Sequence, residues 1–207
     1  MTYIFDFDGT LVDSMPVFSA TMAEIFQENQ LPIPADFVRI ITPLGYIGTA
    51  KYAIDLGCKL TVEEFCALAT KKMEAQYHTT IPAKAYVEAK LRQLKQKGHS
   101  LNVLTASPHG VLDKCLERLG LYDLFDNVWS CEDFATSKAD PQIYVSSASQ
   151  LGRRVEECMF VDDNIGAITT AKQAGMITVG VYDDSSKDMV AEMTAAADIY
   201  IYDFSEL

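Results

Sequence analysis

Tyr3-Ile4-Phe5-Asp6-Phe7-Asp8-Gly9-Thr10-Leu11-Val12-Asp13-Ser14 is the stretch around which the chain is organised. An apolar, aromatic run flowing into two carboxylates predicts a buried strand that delivers both acids at its carboxyl end. Open parallel sheets hold their sites there. With Phe7 between them, Asp6 and Asp8 would point to opposite faces of a continuing strand, so both reach one site only if the chain turns. Gly9 permits that turn. Two carboxylates held close raise one another's pKa. A hard divalent cation with oxygen ligands, Mg²⁺ above all, removes the cost. The competing reading of Asp-x-Asp is a plain strand ending in a polar turn.

Outward from that stretch, 207 residues suffice for one core domain and an insertion. Hydrophobic content of 49% with 22% charged residues is that of a soluble globular protein. The 29 acids against 17 bases give a net charge of −12, which argues against nucleic acid or an anionic membrane as partner. A phosphorylated ligand would then need local positive charge. Cys58, Cys66, Cys115, Cys131 and Cys158 show no Cys-x-x-Cys spacing, and the three histidines are not spaced with them as ligands. They read as reduced, packed thiols of a cytoplasmic protein. No basic segment followed by an apolar core opens the chain, and no apolar run is long enough for a bilayer.

Helical spacing follows the first strand over about Met15 to Asn29, with Ser14 as an expected N-cap. Further helices are expected over about Asp36 to Ile41, Tyr46 to Leu56, and Val62 to His78, the last capped by Thr61. From Ala83 the pattern alternates. A helix to Lys97 precedes the strand Leu101 to Thr105, and a helix over Pro108 to Leu119 precedes a short strand near Val128 to Ser130. A helix over Pro141 to Leu151 leads to the strand Met159 to Asp162, and one over Ile165 to Ala174 to the strand Ile177 to Val181. A last helix over Lys187 to Ala197 leads to the edge strand Ile199 to Tyr202. Strand and helix in this alternation predict an α/β, doubly wound parallel sheet of the Rossmann-like kind. The all-helical segment of residues 14–83 is then a second domain inserted into a core of residues 1–13 and 84–207, over the carboxyl ends of the strands.

Three later stretches could serve the acids. Thr105 ends the second core strand, and Ala106-Ser107-Pro108 opens a helix with Ser107 read as N-cap and Pro108 at N1. Free N–H groups at such a helix start suit an anion. Ser137-Lys138-Ala139-Asp140-Pro141 places a lysine on the next loop, where a solvated side chain is the default. Phe160-Val161-Asp162-Asp163-Asn164 ends a strand in two adjacent carboxylates, costly to bury without a cation.

DFDGTLVDS closely resembles the first motif of the haloacid dehalogenase superfamily, most of whose members are Mg²⁺-dependent phosphatases. The resemblance covers essentially the whole chain, including a type-1 helical cap inserted after the first motif. It implies Asp6 as nucleophile and Asp8 as general acid/base. Thr105 matches the second motif, with the adjoining Ala106 and with Lys138 as phosphate-binding residues. Lys138 matches the third motif, whose Lys-Pro-x-Pro form here has Ala139 for the first proline and Pro141 for the second. Asp162 and Asp163 match the fourth motif, so Asp6, Asp8, Asp162 and Asp163 are the implied metal ligands. Asp163 is the inner-sphere one, and Asp162 binds directly or through water.

Among the family's chemistries, dehalogenases and phosphonate hydrolases lack the second acid of the first motif, and Asp8 argues against both. A phosphatase resembling the phosphoglycolate phosphatase group is the leading expectation, with a small phosphate ester as substrate. A β-phosphoglucomutase-like sugar-phosphate mutase is the alternative. Thr10, read as a small polar neighbour of Asp8, favours hydrolysis. A receiver-like signalling domain shares the acid, hydroxyl and lysine set, but lacks a helical insertion and carries its phosphorylated Asp on a later strand.

Overall fold

The computed structural model describes all 207 residues. Its six-stranded sheet is wholly parallel, in the order β3-β2-β1-β4-β5-β6. The strands are β1 (Thr2–Phe5), β2 (Ser100–Thr105), β3 (Asn127–Ser130), β4 (Cys158–Asp162), β5 (Ile177–Val181) and β6 (Ile199–Ile201). Nine α-helices accompany them: α1 (Met15–Glu28), α2 (Phe37–Ile41), α3 (Gly45–Asp55), α4 (Val62–Thr79), α5 (Val87–Gln96), α6 (His109–Arg118), α7 (Gln142–Gln150), α8 (Ile165–Ala174) and α9 (Val190–Ala196).

β1 sits centrally because it is apolar on both sides. Phe5 joins a cluster of 37 buried residues that includes Leu91 of α5 and Leu112 of α6. Ile4 joins one of 14 with Ile143 of α7 and Ile168 of α8. Alternate side chains of one strand thus fill two layers, as period-2 geometry requires. The larger cluster runs on through Phe7 and Leu11 into Phe18, Phe26, Phe65 and Met73 of α1 and α4. The strand order reverses direction between β1 and β4, and loops leaving there diverge to opposite faces, opening a crevice at the carboxyl ends.

Four local expectations are corrected. Ser14 precedes α1 but makes no capping bond. Ser107 does not cap α6 either: Pro108 stands at the N-cap and the helix starts at His109. The helix expected from Ala83 begins only at Val87, because residues 82–84 run alongside the first linker. Asp13 N donates to Pro82 O and Lys84 N to Leu11 O, each at 3.0 Å. The last helix is also split, a 3₁₀ stretch over Asp184–Met189 preceding α9. Thr61 does cap α4, in a reciprocal capping box with Glu64. No helix is long and apolar enough to cross a membrane.

Candidate active site

Beyond β1, Asp6 N still donates to Val161 O at 2.8 Å, so the acid leaves the sheet in register with β4. Gly9 then takes φ +72°, a left-handed conformation that turns the chain. The closeness of that turn excludes a side chain: a Cβ on Gly9 would stand 2.7 Å from Asp163 Cγ. Asp6 and Asp8 therefore line one cavity of about 310 Å³, together with Thr105, Ala106, Lys138 and Asp163. Asp162 lies behind its wall, fully buried.

Asp6, Asp162 and Asp163 bring carboxylate oxygens within 4.8 Å of one another. One cation stands among them. The Lys138 ammonium lies 2.7 Å from Asp6 Oδ1 and 2.8 Å from Asp162 Oδ2. Only the Asp162 contact is aligned as a hydrogen bond, leaving the buried Asp6 Oδ1 without one. Burial works to lower the Lys138 pKa, but Asp162 and Asp6 outweigh it and hold it well above the usual lysine range. Asp162 is pushed up to about 7, mainly by burial, despite its lysine. Asp163 is raised well above the carboxylate range by burial and by Asp162, Asp6 and Asp183. Thr10 fixes Asp163 from both ends: its Oγ1 donates to Oδ1 at 2.9 Å and accepts from the Asp163 N–H at 3.1 Å. Three buried acids around one lysine leave a negative, all-oxygen set with an unbonded oxygen, and such a set fits a hard divalent cation such as Mg²⁺.

The Asp8 carboxylate is not part of that set. It accepts hydrogen bonds from Ser14 at 2.7 Å and from Tyr77 and Ser107 at 2.5 Å each. The two serines expected as helix caps are thus turned to Asp8. Burial raises the Asp8 pKa, Asp6 adds to the rise, and the three hydroxyls oppose it. Thr10, read as a neighbour of Asp8, is directed to Asp163 instead. Thr105 is buried at the end of β2, where its Oγ1 accepts from Ser107 N at 3.1 Å and its side chain faces the cavity.

A family model for haloacid dehalogenase-like hydrolases matches residues 1–175. The chain belongs to that family. Among relatives of this haloacid dehalogenase-like hydrolase, the validoxylamine A 7'-phosphate phosphatase of Streptomyces hygroscopicus is 26% identical over 205 residues, spanning 99% of this chain and 94% of its own. A phosphoglycolate phosphatase of Psychrobacter arcticus is 27% identical over 190 residues, spanning 86% and 81%. Among solved structures, that of a predicted phosphoglycolate phosphatase from Haemophilus somnus superposes with a TM-score of 0.81 at 22% identity, covering 99% of this chain and 95% of that one. By its family and its phosphatase relatives, this haloacid dehalogenase-like hydrolase is a phosphoric monoester hydrolase.

Two contributors were not singled out in the sequence. Tyr77 falls on the stripe Phe65, Ala69, Met73, Tyr77, all buried, and reads as core packing. Lys84, where the chain returns to the core, donates to Gly9 O and Tyr182 O at 2.7 Å and to Asp183 at 2.9 Å. It thereby anchors the turn between Asp8 and Thr10. His109 is paired with Asp113 and Asp133 and lies outside the cavity lining.

Proposed function

We propose that the chain is a Mg²⁺-dependent phosphatase acting on a small phosphate monoester through an aspartyl-phosphate on Asp6. The observation that carries this reading is the unbonded Asp6 Oδ1, held beside Lys138 among three buried carboxylates at the mouth of β1. A carboxylate oxygen free of hydrogen bonds keeps its lone pairs for attack. Asp6, Asp163 and, directly or through water, Asp162 would hold Mg²⁺. The ion would supply charge stabilisation for the phosphoryl oxygens.

In this reading Asp6 attacks phosphorus and the bond from phosphorus to the ester oxygen breaks. Asp8, held by three hydroxyls, gives its proton to the departing alkoxide. It then takes one from the water that attacks the aspartyl-phosphate, releasing inorganic phosphate and restoring Asp6. Thr105 and Ala106 at the end of β2 would bind phosphoryl oxygens, and Lys138 would offset their charge. The asymmetry between the two motif acids supports this division of labour. Asp6 faces the Lys138 ammonium, whereas Asp8 faces neutral donors that leave it free to exchange a proton.

Residues 14–83 act as a cap over a core of residues 1–13 and 84–207, and the cavity lies between them. Five free cysteines support a reducing, cytoplasmic setting. Asp6→Asn tests the nucleophile, because the amide keeps the shape and loses the attacking oxygen. Hydrolysis of p-nitrophenyl phosphate with Mg²⁺ should fall by about 10³-fold or more with the melting temperature retained. A variant keeping a few per cent of the rate would sink the assignment.

A further inference from the structure

The cavity has two ends of different chemistry. Asp6, Asp8, Asp163, Thr105 and Lys138 make one; Met15, Phe18, Pro43, Leu44 and Tyr46 of the helical segment make much of the other. Lys138 is the one cation among the lining residues, and Asp6 and Asp162 already share its ammonium. The helical segment carries five further cations, and none lines the cavity. Arg39, Lys51, Lys59 and Lys71 are exposed, and Lys72 is bound by Glu24 and Glu28 at 2.7 and 2.8 Å.

Hydroxyls at the same end are also engaged. Tyr46 donates to Met73 Sδ at 3.2 Å, Thr42 to Val38 O and Thr170 to Gly166 O, each at 2.8 Å. The helical segment is docked, since Tyr77 of α4 bonds Asp8, so this lining is the one that faces a leaving group. A carboxylate or second phosphate on that group would enter a space lined by acids, apolar carbon, engaged hydroxyls and the neutral Asn164 amide, with no cation to replace its water.

We infer that this enzyme selects monoesters whose leaving group is an uncharged alcohol, and turns away those bearing a second anion. The inference rests on the phosphatase reading and narrows it. It sets the chain apart from its phosphoglycolate phosphatase relative, named for an ester with a carboxylate beside the phosphate. It also argues against a mutase cycle through a sugar bisphosphate, whose second phosphate would be that second anion.

A matched pair of esters tests this. 2-Phosphoglycolate and 2-hydroxyethyl phosphate share a two-carbon skeleton and differ in carboxylate against hydroxymethyl. With Mg²⁺ present, kcat/KM should favour 2-hydroxyethyl phosphate by about tenfold or more, the scale of one unpaired buried charge. Leu44→Arg, placing a cation at the apolar end, should shift the ratio of the two toward 2-phosphoglycolate by about tenfold. Equal or faster turnover of 2-phosphoglycolate by the unaltered enzyme would overturn the inference. So would an unchanged ratio in the Leu44 variant. p-Nitrophenyl phosphate separates the two levels: its hydrolysis with 2-phosphoglycolate preferred refutes only the selectivity. No hydrolysis of any of the three refutes the phosphatase reading and the selectivity together.

Discussion

Tyr77 Oη donates to Asp8 Oδ1 at 2.5 Å, so a helix of the inserted segment holds an acid delivered by the central strand of the sheet. The pairing makes Tyr77 a positioning residue for proton transfer to the leaving group. Tyr77→Phe keeps the ring stacked near Phe7 and removes only the hydroxyl. Loss of one hydrogen bond to a charged group costs about 1.5–3 kcal/mol, roughly a ten- to hundredfold fall in kcat for alkyl phosphates. p-Nitrophenyl phosphate, whose leaving group needs no proton, should change by less than about threefold. An equal loss on both esters would show a merely structural part for Tyr77.

The two acids ending β4 should separate on isosteric replacement. Asp163, held by Thr10 at the cavity wall, is the proposed ligand, whereas Asp162 holds Lys138. Asp163→Asn should raise the Mg²⁺ concentration for half-maximal activity by about 10²-fold, the cost of losing one charged ligand. Asp162→Asn should lower kcat and raise that concentration less, by about tenfold, as for a group that holds the ion through water. Identical Mg²⁺ titrations of both variants would contradict the division.

Removing the metal should reverse the usual pH dependence of stability. Asp162, at about 7, and Asp163, raised well above the usual carboxylate range, lie above the unfolded value of about 4. From pH 4 upward the native protein therefore binds more protons than the unfolded chain, and stability falls as pH rises through the folded values. In EDTA the melting temperature should be lower at pH 8 than at pH 5. His109, raised by its bonds to Asp113 and Asp133, acts in the same direction. The carboxylates are reported instead by the added effect of Mg²⁺, which should raise the melting temperature more at pH 8 than at pH 5. A larger rise at pH 5 would refute the carboxylate account.

Gly9→Ala meets two obstacles: φ of +72° and a Cβ that would intrude on the Asp163 carboxylate. The backbone term alone is about 1 kcal/mol. Displacing Asp163 should add a loss of Mg²⁺ affinity by about tenfold or more, read by titration calorimetry. A variant that binds Mg²⁺ as the unaltered protein does would show that the approach of Gly9 to Asp163 is incidental.

Much of the fold was legible because each strand is an apolar run bounded by turn residues, and each core helix shows a buried stripe. The wall residues Asp6, Asp8, Thr105 and Asp163 were legible because strand ends are places in the sequence, and Lys138 because it stands on the loop that leads into α7. What the sequence misassigned were hydroxyls. Ser14 and Ser107 stand where helix caps stand, and local spacing rewards the cap reading. Only the tertiary fold brings Asp8 within reach of both, and charge-assisted bonds to a carboxylate outcompete a neutral cap. Tyr77 was hidden for a different reason: its helical spacing puts it in the core stripe, and its hydroxyl happens to end that stripe at the site. Thr10 was placed near the wrong acid, since the turn at Gly9 swings it across to β4.

The paired backbone at the base of the helical segment fixes how many ways that segment can move. Val12 and Ala83 bridge as antiparallel neighbours, flanked by the bonds from Asp13 to Pro82 and from Lys84 to Leu11. Two separate tethers would let seventy residues swivel and twist. One zipped ribbon, clamped at its root by the Lys84 ammonium, would confine such motion to bending like a leaf spring. Tyr77 of that segment is already seated on Asp8, so an opening wide enough to admit an ester would also strip the acid of a donor, and a return would restore it.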